Sequence, residues 1–337
     1  MRATNGLTIA LLAGVIIGCA SKESASLPAA RIVWPPAPET PRIAYVQSIT
    51  RPADVGIRPT GAKRFMRWVM GASEEDTFSK PFGIALDEQD NLCVTDTGLN
   101  AVSFYDRTKK TWKRWNKIGA LHFGSPVAVA KRGGKFYVAD SALARVIVFG
   151  EDGKLLFQIT NKLERPSGLA IANDRLFVAD SKRHAIVSFD LDGKFISEFG
   201  KRGTGRGDFN FPTHVAIGPS GNLFITDSMN SRVQVVNRAG AFQSEIGSAG
   251  DRPGHFGRPK GVAVDSLGHV YVVDAMFDTV TLFDHDGKLL MNFGDSGSGA
   301  GNFWLANGVA ISRANEIYVA DAYNKRIQVF RYIGPQP

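Results

Sequence analysis

Six aspartates recur along the chain, Asp96, Asp140, Asp180, Asp227, Asp274 and Asp321, each closing a short apolar run. A carboxylate can move a proton, hold a cation or cap loop amides, and its context decides which. The last three intervals are 47 residues each, and the first two are 44 and 40. A group that returns in every unit fits a scaffold role, because an active site needs an asymmetry that a repeat does not supply. These carboxylates are expected to bind loop amides, or the arginine five positions on at Arg145, Arg232 and Arg326.

Chemistry is therefore sought where the units differ. The histidines His122, His184, His214, His255, His269 and His285 show no ligand spacing, whereas a catalytic zinc generally takes three protein ligands. No metal is assigned. His214 stands where other units have Gly83, Gly168, Gly261 and Gly308, at the start of an innermost strand, and with Asn307 it is the candidate for a central channel. Cys93 replaces the aromatic found at Tyr137, Phe177, Phe224, Tyr271 and Tyr318, and a thiol in an apolar strand reads as a small buried hydrophobe. Nucleophile elbow, phosphate loop and metal-ligand pair are all missing, so the sequence assigns no catalytic residue and no cofactor. What stands out instead is charge. The formal net charge is +8, and Lys182, Arg183, His184, Lys201, Arg202, Arg206, Arg258 and Lys260 fall in loops of one sector, a candidate face for an acidic protein or an anionic polymer.

The elements that must position these residues are legible from the repeat. Each unit opens with a short apolar stretch such as "GVAVD" (261–265), makes a tight turn, and runs into the strand that ends in Asp. Six residues after each Asp a β-branched residue starts a third strand, at Val102, Val146, Ile186, Val233, Val280 and Ile327. Asp-Gly turns such as "DLDGK" then lead to a fourth. Four antiparallel strands per unit, repeated at this period, predict an all-β, six-bladed β-propeller. Alternating strand direction puts the Asp loops and the glycine-rich loops on one face.

The loops "GTGRGDFNFP" (203–212), "GDRPGHFGRP" (250–259) and "GSGAGNFWLA" (297–306), with "VADAYNKRIQVF" (319–330) and "ITDSMNSRVQVV" (225–236), resemble the NHL repeat. The resemblance covers roughly residues 78–333 and implies the NHL type of propeller, although Ala101, Ala185 and Thr279 stand at the arginine position of three units.

The sixth unit lacks its outer strand. Residues 42–49, "RIAYVQSI", are expected to supply it and close the ring, removing exposed sheet edges. Upstream, residues 1–18 have an early cation and an apolar run too short to span a bilayer comfortably, and they run into Cys19 through "IIGC" (16–19), which resembles a lipoprotein lipobox. That resemblance implies signal cleavage and a covalent lipid on Cys19, and Ala20 implies sorting to the outer membrane in a Gram-negative source. Residues 19–41 form a Pro-rich tether, residues 50–77 an insertion with a short basic amphipathic helix within 61–76, and residues 78–334 the propeller.

The resulting expectation is an exported, lipid-anchored, monomeric propeller whose loop face binds an envelope protein or an anionic polysaccharide without catalysis. A channel-centred, metal-dependent lyase or lactonase-type hydrolase is the alternative. Nucleic-acid binding ranks lower, because the export signal opposes it.

Overall fold

The computed structural model describes residues 32–58 and 76–335. Six antiparallel sheets stand around one axis, and each blade's innermost strand begins at or just before the residue pair that starts the apolar stretch. These strands are Pro81–Leu86, Pro126–Arg132, Pro166–Ala172, Pro212–Ile217, Pro259–Val264 and Ala306–Ile311. Each neighbours the next, and the sixth neighbours the first, so the ring is closed. Among the described residues the helical segments are 3-10 turns, and no helix is long and apolar enough to cross a membrane.

Closure is made by the expected N-terminal strand. Ile43–Ile49 pairs antiparallel with Arg326–Tyr332, placing Ile43 opposite Tyr332 and Ile49 opposite Ile327. Ile43 and Ile49 are wholly buried. The stretch expected to be a tether contributes as well. Val33–Trp34 adds a fifth strand outside Ile43 and Ala44. The indole of Trp34 packs on Phe293 and Phe330, with ring centroids 6.0 and 5.8 Å away, and this buried contact outweighs the extended preference of a Pro-rich stretch. The amphipathic helix expected within 61–76 lies, apart from Asp76, outside the described residues, as does Cys19.

The repeat's motifs have a common physical basis. Every recurring Asp is at most 1% exposed and accepts backbone N–H groups from the loop that enters its blade. Asp96 takes those of Ser79 and Lys80 at 2.8 and 2.9 Å, and Asp274 those of Gly257 and Arg258 at 2.7 and 3.0 Å. In the sixth blade Asn324 donates to Gly297 O, Arg326 to Gly299 O and Asn302 O, and Gln328 to Asn302 O. Asn230, Arg232 and Gln234 repeat these contacts in the fourth blade on Gly203, Gly205 and Asp208. Arg232 and Arg326 also pair with their Asp at 3.0 and 2.8 Å. Arg145 does not: its Nε donates to Leu143 O, because the second blade's loop, "IGALHFGSP", carries no matching glycine-rich turn.

The phenylalanines that end the glycine-rich loops, Phe209, Phe256 and Phe303, are fully buried, each stabilising by roughly 1.5–3 kcal/mol relative to exposure. Gly200, at φ +90°, lets the Phe209 ring approach: a Cβ there would sit 2.5 Å from it.

Candidate functional site

Where the inner strands begin on the loop face, blades one to five line a cup of about 370 Å³. The residue after each strand's first faces the mouth: Phe82, Val127, Ser167, Thr213 and Lys260 line it, contributed in order by blades one to five. Their register follows from the pleat, which sends alternate residues to opposite faces. One position further in are Gly83, Gly168 and Gly308, packed so closely that a Cβ on Gly168 would lie 2.7 Å from Thr213 O. His214 occupies this crowded level in the fourth blade and lines both the cup and the neck beneath it. The neck holds about 50 Å³ and is apolar, walled by Ile84, Val129, Leu169, Val215, Val262 and Val309.

Three cations enter the cup. Arg165 and Arg258 each precede the first residue of an inner strand, and Lys260 follows one. Among the described residues none of the three has a salt-bridge partner. Burial lowers the Lys260 amine from 10.5 to about 8, and the neighbouring Arg258 and Arg165 guanidiniums push the same way. The fraction of free amine at neutral pH is therefore appreciable.

His214 is only partly buried as a residue, yet both of its ring nitrogens are shut off from solvent and have no hydrogen-bond partner. Burial, with Lys260 nearby, lowers it from 6.5 to about 3, so the ring is neutral at physiological pH. Thr213 Oγ1 is likewise buried and unpartnered. Buried polar groups normally find partners, so these two adjacent orphans are an unsatisfied polar spot in the wall beside the cup. Ser141, Ser167, Ser181 and Ser228 add hydroxyls around it, although Ser167 Oγ is bonded to Ala179 O and Pro212 O, Ser181 Oγ to Arg165 O, and Ser228 Oγ to Pro259 O.

Of the residues singled out in the sequence, the structure brings together His214, Arg258 and Lys260. Asn307 does not line the cup, and its Nδ2 donates to Leu305 O at 3.0 Å. The rest of the basic sector is dispersed or spoken for. Arg183 binds Glu198 at 2.6 Å and Glu164 at 3.3 Å, Lys182 also pairs with Glu164, and Arg206 lies over the Phe242 ring. His184 Nδ1 accepts the Phe211 N–H at 3.1 Å. Lys201 and Arg202 are exposed on the loop surface away from the cup lining. Arg165 and the serines escaped sequence reasoning. Aligning the residue before each inner-strand proline, which gives Lys80, Ser125, Arg165, Phe211 and Arg258, would have found the arginine.

A family model described as a 6-bladed beta-propeller matches residues 160–223, and an NHL repeat model matches residues 303–330. The fold is a six-bladed β-propeller carrying an NHL repeat. Comparison with curated protein sequences gives no match. Among solved structures, virginiamycin B lyase from Staphylococcus aureus is similar at 12% identity and TM-score 0.55, over 75% of this chain and 95% of that one. A gluconolactonase from Xanthomonas campestris is similar at 18% identity and TM-score 0.56, over 76% and 86%. An auxiliary nutrient binding protein from Bacteroides thetaiotaomicron is similar at 11% identity and TM-score 0.60, over 76% and 70%. At these identities the likeness establishes the fold.

The expectation of a non-catalytic, protein-binding scaffold is corrected by these findings. The similar folds include a lyase and a lactonase beside a nutrient binding protein, so the fold does not single out a non-catalytic scaffold, and the titratable groups gather in a cup rather than along the outer basic sector. The metal-dependent form of the enzymatic alternative does not fit either. Among the residues lining the cup, His214 is the sole His, Cys, Asp or Glu, and it sits beside three cations. No group of three such side chains able to hold a metal occurs among the described residues.

Proposed function

We propose that the chain is a general-base enzyme of the lyase or lactone-hydrolase kind, working on a small molecule in the cup. The observation that carries this reading is the Lys260 amine, unpaired and held close to neutral by burial beside Arg165 and Arg258. An amine whose pKa lies near the working pH combines a useful free fraction with a useful driving force for proton transfer. In an elimination, Lys260 Nζ takes the proton from the carbon beside an acyl group, the C–H pair becomes the new double bond, and the C–O bond at the next carbon breaks. The departing oxygen then takes the proton back from the Lys260 ammonium. In lactone opening the same nitrogen takes a proton from water as its oxygen attacks the carbonyl. The ring oxygen leaves and accepts that proton. Arg165 and Arg258, always charged, stabilise the oxyanion that either path develops.

The same proposal places this domain in the cell envelope, anchored through a lipid on Cys19 and exported by the leader. The support is the "IIGC" motif and the apolar run before it.

The test uses virginiamycin B and gluconolactone as probe substrates. Turnover of at least one is expected, with kcat/KM rising to a plateau near pH 8 and falling about 100-fold or more in Lys260→Met. Turnover of neither probe above the Lys260→Met background overturns the reading.

A further inference from the structure

The cup is two-sided. In a ring of six, blade one stands across the axis from blade four, and blade two from blade five. Val127 therefore faces Lys260, and Phe82 faces Thr213, across the mouth. All three cations come from blades three and five. Blades one and two offer only the half-buried side chains of Phe82 and Val127, with Ser141 at their edge. Neither half is needed for propeller closure, which the strands achieve elsewhere.

A ligand that satisfies both halves must carry one anionic end and one apolar body. We propose that the cup takes an amphipathic organic monocarboxylate, its carboxylate between Arg165 and Arg258 and its hydrocarbon body against Phe82 and Val127. Planar guanidiniums match a carboxylate's two oxygens, and they stay charged while Lys260 is free to act as the base. This ligand class rests on the cup being the substrate site and deepens the function proposed above: the guanidiniums that meet the oxyanion during turnover also hold the carboxylate that the reaction leaves.

Binding without turnover tests it. The full chain carrying Cys19→Ser is titrated calorimetrically with octanoate, acetate, 1-octanol and octyltrimethylammonium. Octanoate is expected to bind at least tenfold tighter than any of the other three. Arg165→Gln with Arg258→Gln should weaken octanoate at least tenfold and flatten its salt dependence. Phe82→Ser with Val127→Ser should weaken octanoate but leave acetate unchanged. Acetate or octanol equal to octanoate, or unchanged octanoate affinity in both double variants with native circular dichroism, overturns the proposal. The two readings fail separately. Octanoate binding as described without turnover removes the enzyme and keeps the ligand class, whereas turnover with head-group indifference does the reverse.

Discussion

Ile49 lies directly opposite Ile327 in an antiparallel ladder, so one blade is built from both ends of the described chain. Deleting residues 42–49 should remove the burial of two isoleucines, roughly 3–6 kcal/mol, and expose the edge of the sixth blade. Far-ultraviolet dichroism and tryptophan fluorescence should then report one transition, shifted down together. A truncated chain that melts like the parent would contradict closure as the source of cooperativity.

Asp321 is the knot of the sixth blade's loops, binding the Trp304 amide, Asn324, Arg326 and Gln328. Asp321→Ala leaves the Arg326 guanidinium, whose side chain is 12% exposed, without its carboxylate. Breaking such a pair from one side costs about 3–5 kcal/mol. Urea denaturation should show that loss as a lower midpoint with an unchanged slope.

Lys260 makes stability depend on pH in the alkaline range. Its folded-state amine titrates at about 8 against 10.5 for an ordinary lysine, so between these values the unfolded chain binds more protons than the folded one. Stability should therefore rise with pH across that window. The facing groups are Arg258 on its own strand, Arg165 from blade three and neutral His214 from blade four. Lys260→Met should raise the melting temperature by about 2 °C or more at pH 7, a gain that fades by pH 10.5. A gain independent of pH would show that packing, not charge, is responsible. Amine labelling by trinitrobenzenesulfonate, followed by mass spectrometry, should give Lys260 a midpoint near 8.

His214 works in the opposite range. Its ring titrates at about 3 rather than 6.5, so acid is expected to erode stability as pH falls between those values. His214→Leu removes two unpartnered nitrogens and should be neutral or stabilising at pH 7, within about 1 kcal/mol, while flattening the acid limb.

Cys19→Ser should move the protein from the membrane fraction to the soluble fraction and abolish incorporation of radiolabelled palmitate. Labelling that persists in the variant would remove the lipid anchor from the proposal.

The fold was legible because local chemistry repeats. Asp, the glycine-rich turn and its Phe recur at fixed offsets, and each serves the same contact in each blade that has it. The missing outer strand announced itself by being unmatched. The cup was harder to see, because Arg165, Thr213 and Lys260 belong to different blades and converge only when the ring is closed. Charge counting also misled: from sequence alone Arg183 looks available, but Glu164 in the entry loop and Glu198 on the outer strand of its own blade reach it. Trp34 was hidden among prolines whose composition suggests only a linker.

The apolar neck below His214 has a consequence for traffic. Branched side chains from all six inner strands narrow the axis to about 50 Å³, a passage that a hydrated anion does not cross. Entry and exit then share one doorway. Under the proposed lactone opening, the substrate enters neutral at its ring and leaves with a new carboxylate, so whatever is made beside Arg165 and Arg258 is better held than what arrived. Such a catalyst would slow as its own product accumulates, and the chain's rate would follow how fast its surroundings carry that product away.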